Sequence, residues 1–132
     1  MKLQKWAITL CCDDEEKLEL RVANLVQYLA QNNQPNQWIV SDIDATGNCG
    51  DQLTSRCNHE GLLYLPSTEF LTVFREDGQV IDLEATLAQN DRELFKILVQ
   101  DGVSIDVLGF GDLPPLTVLG KYVSVDVALF MW

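Results

Sequence analysis

Two observations predict an α+β fold for this chain of 132 residues. Apolar and polar residues alternate in several short segments, as they do in half-buried strands, whereas two longer segments repeat every three to four residues, as amphipathic helices do. The predicted order is strand, helix, strand, hairpin, helix, strand, strand. This order favours two helices packed on one face of a mixed, mostly antiparallel sheet.

The first strand and the first helix have the clearest patterns. Residues 3–12 form the strand, and period-two alternation places Trp6, Ile8 and Leu10 on one of its faces. Residues 13–34 form the helix, with acids in the first turn where they favour the helix dipole. The apolar stripe of this helix consists of Leu18, Val22, Leu25, Val26 and Leu29.

The middle of the chain is predicted to contain a strand, a long loop and a hairpin. Residues 38–43 form the strand, and a polar, glycine-containing loop follows from residue 44 to about 60. The apolar run 61–66 fits either a pairing strand or a buried connector. Residues 70–74 and 79–83 flank an Asp-Gly pair, which tolerates the positive φ of a tight hairpin turn.

The second helix is predicted over residues 90–102, because Asn90 and Glu93 have the spacing of a capping box and apolar residues follow at helical positions. Residues 103–108 then form a strand. Paired prolines make residues 109–120 a loop, and residues 122–130 form a final alternating strand.

A ferredoxin-like core with additional strands is the simplest topology that contains these elements. The length suits one globular domain covering residues 1–132, large enough to bury a core without disulfides. The N-terminus lacks the features of a secretory signal, and no segment approaches the roughly 20 apolar residues of a membrane span. We therefore expect a cytoplasmic protein.

Net charge is the strongest functional signal in the sequence. Twenty acids against nine bases give a formal charge of −11, which disfavours nucleic acid and anionic membranes and favours a basic protein partner. No lysine or arginine occurs in residues 22–55 or in residues 97–120, whereas six aspartates do. These two acidic segments are the candidate binding regions.

The segment Asp42-Ile43-Asp44-Ala45-Thr46 resembles motif I (DxDxT) of the haloacid-dehalogenase-like phosphatases. The resemblance implies that Asp42 attacks phosphorus, that Asp44 acts as acid and base, and that Mg²⁺ assists. Further members of such a set would be Ser67 or Thr68, Lys96 and Asp112. The family's sheet is parallel and doubly wound, with motif I after its first strand, whereas here a strand and a helix precede the motif.

Two metal sites are alternatives for the same region. The residues from Asp42 onward match the opening of a calcium loop, but its twelfth position is Leu53 instead of a bidentate glutamate. Cys49, Cys57 and His59, with Cys11 or Cys12, could supply zinc ligands, although they lack the paired C-x-x-C spacing of structural zinc sites. We predict reduced thiols and no cofactor.

In size, charge and fold class the chain resembles the bacterial immunity proteins that neutralise secreted nuclease toxins. The resemblance implies that an acidic surface covers the basic active site of a toxin or a surface beside it, so that charge complementarity speeds association and selects the partner. We therefore predict a non-enzymatic binding module without direct nucleic-acid or membrane contact. The predicted partner-binding residues are Asp42, Asp44, Asp51, Asp106, Phe110 and Asp112.

Overall fold

A computed structural model describes most of the chain, with short gaps between elements. The described residues are 4–10, 18–32, 37–75, 78–89, 92–102 and 104–130. The strands are β1 (Lys5–Leu10), β2 (Gln37–Ala45), β3 (Leu63–Leu65), β4 (Val80–Gln89), β5 (Arg92–Gln100), β6 (Ser104–Phe110) and β7 (Tyr122–Val125). The helices are α1 (Leu18–Asn32), α2 (Asn48–Glu60), α3 (Ser67–Arg75) and α4 (Leu116–Leu119).

The seven strands form one open sheet in the order β3-β2-β4-β5-β6-β1-β7. All six neighbouring pairs are antiparallel. The α+β class is therefore confirmed. The sheet was expected to be mixed and mostly antiparallel, and all of its described strand pairs are antiparallel. This strand order does not confirm a ferredoxin-like core.

The hydrophobic core lies against one face of the sheet. Alternate residues of the strands point into it, and Trp38, Leu87 and Phe95 are one such row across β2, β4 and β5. All four helices add buried residues to the same cluster, so the prediction of two helices is wrong in number. Trp38 is fully buried and stacks on Phe70 of α3, with 4.7 Å between ring centroids.

Four of the predicted elements are confirmed as β1, α1, β2 and β6, and the apolar run 61–66 contains the short strand β3. Residues 13–17 and 33–34 of the predicted first helix lie outside the described residues. Within the described part of the chain, no helix is long and apolar enough to cross a bilayer.

The predicted hairpin at residues 70–83 is wrong. Residues Ser67–Arg75 form helix α3, whose buried side chains Phe70, Leu71, Val73 and Phe74 have helical spacing. The proposed turn at Asp77 lies partly outside the described residues, and Gly78 instead passes close to the backbone of Thr46. A Cβ at Gly78 would stand 2.2 Å from the Thr46 carbonyl oxygen, so glycine is required there.

The predicted second helix at residues 90–102 is also wrong, because residues 92–100 form β5. Its buried residues Phe95, Ile97 and Val99 alternate with partly exposed ones, which is strand periodicity. Asn90, the proposed cap, lies outside the described residues.

Three loop and strand boundaries also differ from prediction. The predicted loop at residues 44–60 is the end of β2 followed by α2, and the predicted loop at 109–120 contains α4. The last strand stops at Val125 because Asp126 caps a 3₁₀ turn over Val127–Phe130, accepting the Ala128 N–H at 3.0 Å.

Helix α2 covers the part of β2 that extends beyond the short strand β3. The Ala45 N–H donates to Thr54 Oγ1 at 3.0 Å. The Cys57 thiol donates to the Val40 carbonyl oxygen, with 3.9 Å between sulfur and oxygen. Backbone groups that would otherwise stand open at the sheet edge therefore bond to side chains of α2.

Candidate functional site

Four carboxylates meet on the sheet face opposite the core. Asp42 of β2 stands directly across from Glu84 of β4, and Asp44 stands across from Asp82. Asp42 and Asp44 are exposed, and Asp82 and Glu84 are half-buried. These four residues, Asp42, Asp44, Asp82 and Glu84, are called the carboxylate ladder below.

Strand alternation and one bulge place the ladder on this face. Val40 and Ile43 both point into the core, which two-residue periodicity alone would not allow. The register shifts between Val40 and Asp42, so Ser41 is an additional residue, and its hydroxyl donates to the Glu84 carbonyl oxygen at 3.2 Å. The bulge therefore turns both aspartates of β2 away from the core.

The ladder is only partly neutralised by neighbouring groups. Lys96 of β5 forms an ion pair with Glu84 at 3.0 Å, and Asp82 accepts the backbone N–H of Asp101 at 3.2 Å. Among the described residues, no other ion pair involves the four acids. Like charges directly opposite each other in a sheet lower the stability of the fold. The ladder is consequently a surface that favours added positive charge.

Asp106 lies on the same face, but its side chain is nearly buried. It stands opposite Leu98 of β5, which in turn stands opposite Glu84, so Asp106 is two strands from the ladder. Its residue surface is 9% exposed, and one carboxylate oxygen accepts the Thr9 hydroxyl at 2.5 Å. This hydrogen bond satisfies a buried carboxylate and ties β6 to β1.

Phe110 and Asp112 lie at the other end of the sheet. Phe110 is the last residue of β6, six residues from Ser104, which corresponds to about 20 Å along the strand. The Phe110 ring is half-buried, with the Lys5 ammonium 5.7 Å from its centroid, and Asp112 is exposed in the following turn. The two acidic segments of the sequence are therefore not brought into one compact cluster.

Asp51 belongs to the first turn of α2, not to the strand face. Its N–H bonds to the Gly47 carbonyl at 2.8 Å, and its side chain is exposed near the helix N-terminus, where a negative charge is favourable. Of the six predicted binding residues, only Asp42 and Asp44 form a compact group.

The residues of a phosphatase set are divided between the two sides of the sheet. Ser67 lies beside the core, where its hydroxyl oxygen accepts the Trp38 indole N–H at 3.0 Å, whereas Asp42 and Asp44 point to the other face. The two aspartates lie within β2 instead of following it, and the sheet is antiparallel. This is not the parallel, doubly wound sheet that the DxDxT resemblance implies.

The metal alternatives also differ from the observed geometry. Among the described residues, no three side chains of the ligand types are grouped as a metal site. The proposed calcium loop is a strand followed by a helix. Cys49 and Cys57 are eight residues apart on α2, about 12 Å along the helix axis, and His59 is exposed. Cys11 and Cys12 lie outside the described residues.

The surroundings of the Cys57 thiol indicate a structural role for this residue. Burial raises the pKa of this thiol above its ordinary value, and the negative charges of Asp42 and Glu60 raise it further. The neutral thiol is the form that can donate to the Val40 and Gly61 carbonyl oxygens, at 3.9 and 3.6 Å. A thiol held protonated is a poor nucleophile and a poor metal ligand.

Sequence reasoning missed Asp82 and Glu84, although a signal for them was present. Both strands carry an acid, an apolar residue and a second acid in succession, Asp-Ile-Asp at 42–44 and Asp-Leu-Glu at 82–84. Pairing of the apolar residues Ile43 and Leu83 on the core side forces both pairs of acids to the other side.

Comparisons with protein-family models, with curated proteins and with solved structures each found no match to this chain. The function must therefore be argued from the geometry of the carboxylate ladder and its surroundings.

Proposed function

We propose that this chain is an acidic protein-binding module that holds a basic partner protein on the carboxylate ladder. The observation that supports the proposal is the direct opposition of Asp42 to Glu84 and of Asp44 to Asp82 on solvent-accessible strand positions. Opposed carboxylates lower the stability of the free protein, and lysine or arginine side chains of a partner would relieve their repulsion.

The spacing of the ladder defines the chemistry of the partner. Successive rungs are two residues apart along β2, about 7 Å, and the strands are about 5 Å apart. Two basic side chains separated by two positions on an extended segment, or by one turn on a helix, match this spacing. Arginine suits such a site well because its guanidinium can bond two carboxylate oxygens at once.

The finer proposal is that the partner is a basic toxin, with a nuclease domain as the expected type, and that the chain is its immunity protein. A net charge of −11 supports this by favouring fast association with a basic cleft. An interface of ordinary size buries about 800 Å² on each partner, which is wide enough to extend from the ladder toward Phe110 and Asp112. Those two residues, Asp51 and the nearly buried Asp106 stay predicted contacts at the margin of such an interface.

The proposal is tested first by native mass spectrometry of the untagged protein purified from its own host. We expect a stoichiometric complex with a basic polypeptide. If that polypeptide is a toxin, expressing it alone should stop growth, and co-expression of this chain should restore growth. A captured polypeptide that is acidic, or that has no effect on growth, would contradict the binding-module proposal or the immunity proposal respectively.

Charge reversal then locates the binding surface. Asp44→Lys should lower the association rate with the captured polypeptide about tenfold or more at low salt, and much less at high salt, because the steering field is screened. Glu60→Lys is the matched control, since it makes the same charge change at an exposed position at the end of α2. Equal effects of the two variants would show that only total charge matters and that the ladder is not the site.

A further inference from the structure

Strand β7 is the last strand at one end of the sheet, and among the described residues it pairs on one side only. It pairs with β1 from Ala7↔Val125 to Leu10↔Tyr122, and within the described residues no strand lies beyond it. An edge strand presents backbone N–H and C=O groups that another chain can bond.

The segment around β7 carries much of the exposed apolar surface of the molecule. Seven large hydrophobic residues are exposed in the described chain, and four of them lie within residues 113–130. These four, with exposed fractions from 40% to 73%, are Leu113, Leu116, Val123 and Leu129. Val123 lies on β7 itself, whereas Leu113 and Leu116 precede the strand and Leu129 follows it. The strand therefore combines unpaired backbone groups, among the described residues, with an exposed apolar side chain, which together suit association.

Local charge favours a second copy of this chain over a basic partner at this edge. Residues 113–130 contain one base, Lys121, and one acid, Asp126, so their net charge is zero and the whole charge of −11 lies on the rest of the chain. A basic partner gains no electrostatic attraction at a neutral edge. A second copy of this chain is repelled wherever two acidic surfaces meet, and a neutral edge meeting itself avoids that repulsion.

We propose that two copies of the chain pair through β7, antiparallel across a two-fold axis perpendicular to the sheet. Such an axis preserves the faces of the sheet, so Val123 and Val125 of both copies would lie on one face, and Tyr122 and Ser124 on the other. The exposed Val123 side chains of both copies would then be covered by cross-strand neighbours.

The edge is held in position before any association. The buried guanidinium of Arg21 in α1 donates to the carbonyl oxygens of Leu119 and Lys121, the latter at 2.9 Å. These bonds fix the residues that lead into β7. An edge that is already ordered loses less conformational entropy when it pairs, so even a four-residue strand contributes to a dimer.

The test is the concentration dependence of the oligomeric state, measured on the untagged full chain by sedimentation velocity at low and high salt. We expect a monomer–dimer equilibrium that shifts toward the dimer as salt screens the charge on the two copies. A basic partner on the carboxylate ladder would show the opposite salt dependence, so this pairing and the proposed function can fail independently. A chain that stays monomeric at every concentration and salt would overturn the pairing.

Two variants at matched positions test whether the dimer forms through β7. Val123 and Tyr64 are exposed apolar residues of the two terminal strands, β7 and β3, with exposed fractions of 56% and 58%. Val123→Lys should abolish the dimer, and Tyr64→Lys should leave it intact. A dimer that survives Val123→Lys, or that Tyr64→Lys also abolishes while circular dichroism shows a folded chain, would overturn the pairing.

Hydrogen exchange provides a test without substitution. The amide protons of Tyr122–Val125 should exchange more slowly at high than at low protein concentration, because dimerisation pairs the outer backbone groups of β7. Exchange that is independent of concentration in this strand would also overturn the pairing.

Discussion

The two edges of the sheet are built differently. At one edge, β2 is covered by the short strand β3 and by α2, whose Thr54 and Cys57 side chains bond to the β2 backbone. At the other edge, β7 is a four-residue strand that has β1 on one side and, within the described chain, no strand on the other. At the first edge, side chains of α2 bond to the β2 backbone beside the three-residue strand β3, whereas among the described residues no side chain bonds to the backbone of β7.

The difference places charge and core packing at one edge of the sheet and the proposed pairing at the other. The covered edge adjoins the carboxylate ladder and the buried Trp38, so it carries both core packing and the concentrated negative charge. The open edge is neutral in net charge and rich in exposed apolar residues. Covering an edge removes a site for unwanted strand pairing, whereas leaving one open and uncharged provides a site for specific pairing.

The largest predicted effect comes from the core side chain of the covered edge. Trp38→Ala should lower the free energy of unfolding by about 3–5 kcal/mol, because it removes a fully buried indole that stacks on Phe70. Tyr122→Ala, at the half-buried packing residue of β7, should cost clearly less. Urea denaturation of both variants measures the two losses in free energy of unfolding. Equal losses would show that the side chains at the two edges contribute equally to stability.

A smaller loss is expected from the bond that closes the covered edge. Thr54→Val has nearly the same shape but leaves the Ala45 N–H without its acceptor, which should cost about 1–3 kcal/mol in denaturant unfolding. Thr54→Ser keeps the hydroxyl and is the control, with most of the stability retained. If Thr54→Val were as stable as the wild type, the side-chain bond would not be what closes this edge.

The smallest effect concerns the Cys57 thiol and depends on pH. Below the ordinary thiol pKa, about 8.5, the thiol is protonated in both the folded and the unfolded chain and gives no pH dependence. Above it the unfolded chain releases the proton first, because burial raises the pKa of Cys57 in the folded chain. The free energy of unfolding should therefore fall as pH rises from this value through the raised pKa.

The measurement for Cys57 is the difference between the wild type and Cys57→Ser across this alkaline range. Serine does not titrate there, so the variant should lack the part of the decline that comes from the thiol. Parallel curves for the two proteins would show that Cys57 titrates alike in the folded and unfolded states.

Prediction from sequence succeeded where a segment had one clear period and failed where two periods fitted. The stripe of α1 and the alternation of β1 and β6 were unambiguous, and these elements are confirmed, as is β2, which begins with an apolar run. In β5 the adjacent apolar residues 94–95 and 97–99 satisfy both periods, so a strand was taken for a helix. In α3 the phenylalanines and Val73 suggested a strand, whereas their spacing was helical.

Part of the candidate site could also be read from the sequence. The sequence identified Asp42 and Asp44 as acids of a segment without lysine or arginine, whereas their exposure depends on the bulge between Val40 and Asp42, which the sequence did not predict. The pairing with Asp82 and Glu84 could not be predicted, because it depends on the register of two strands that are forty residues apart. The burial of Asp106 against Thr9 depends on β6 meeting β1, from opposite ends of the chain.

By itself the sequence determined the α+β class, the large negative charge and the positions of several elements, because composition and local periodicity are properties of contiguous residues. Only the tertiary structure decided which acids face one another and which sheet edge α2 covers. Strand order and register arise from contacts between distant segments, and a shift of β2 by one residue against β4 would turn Asp42 and Asp44 to the other face.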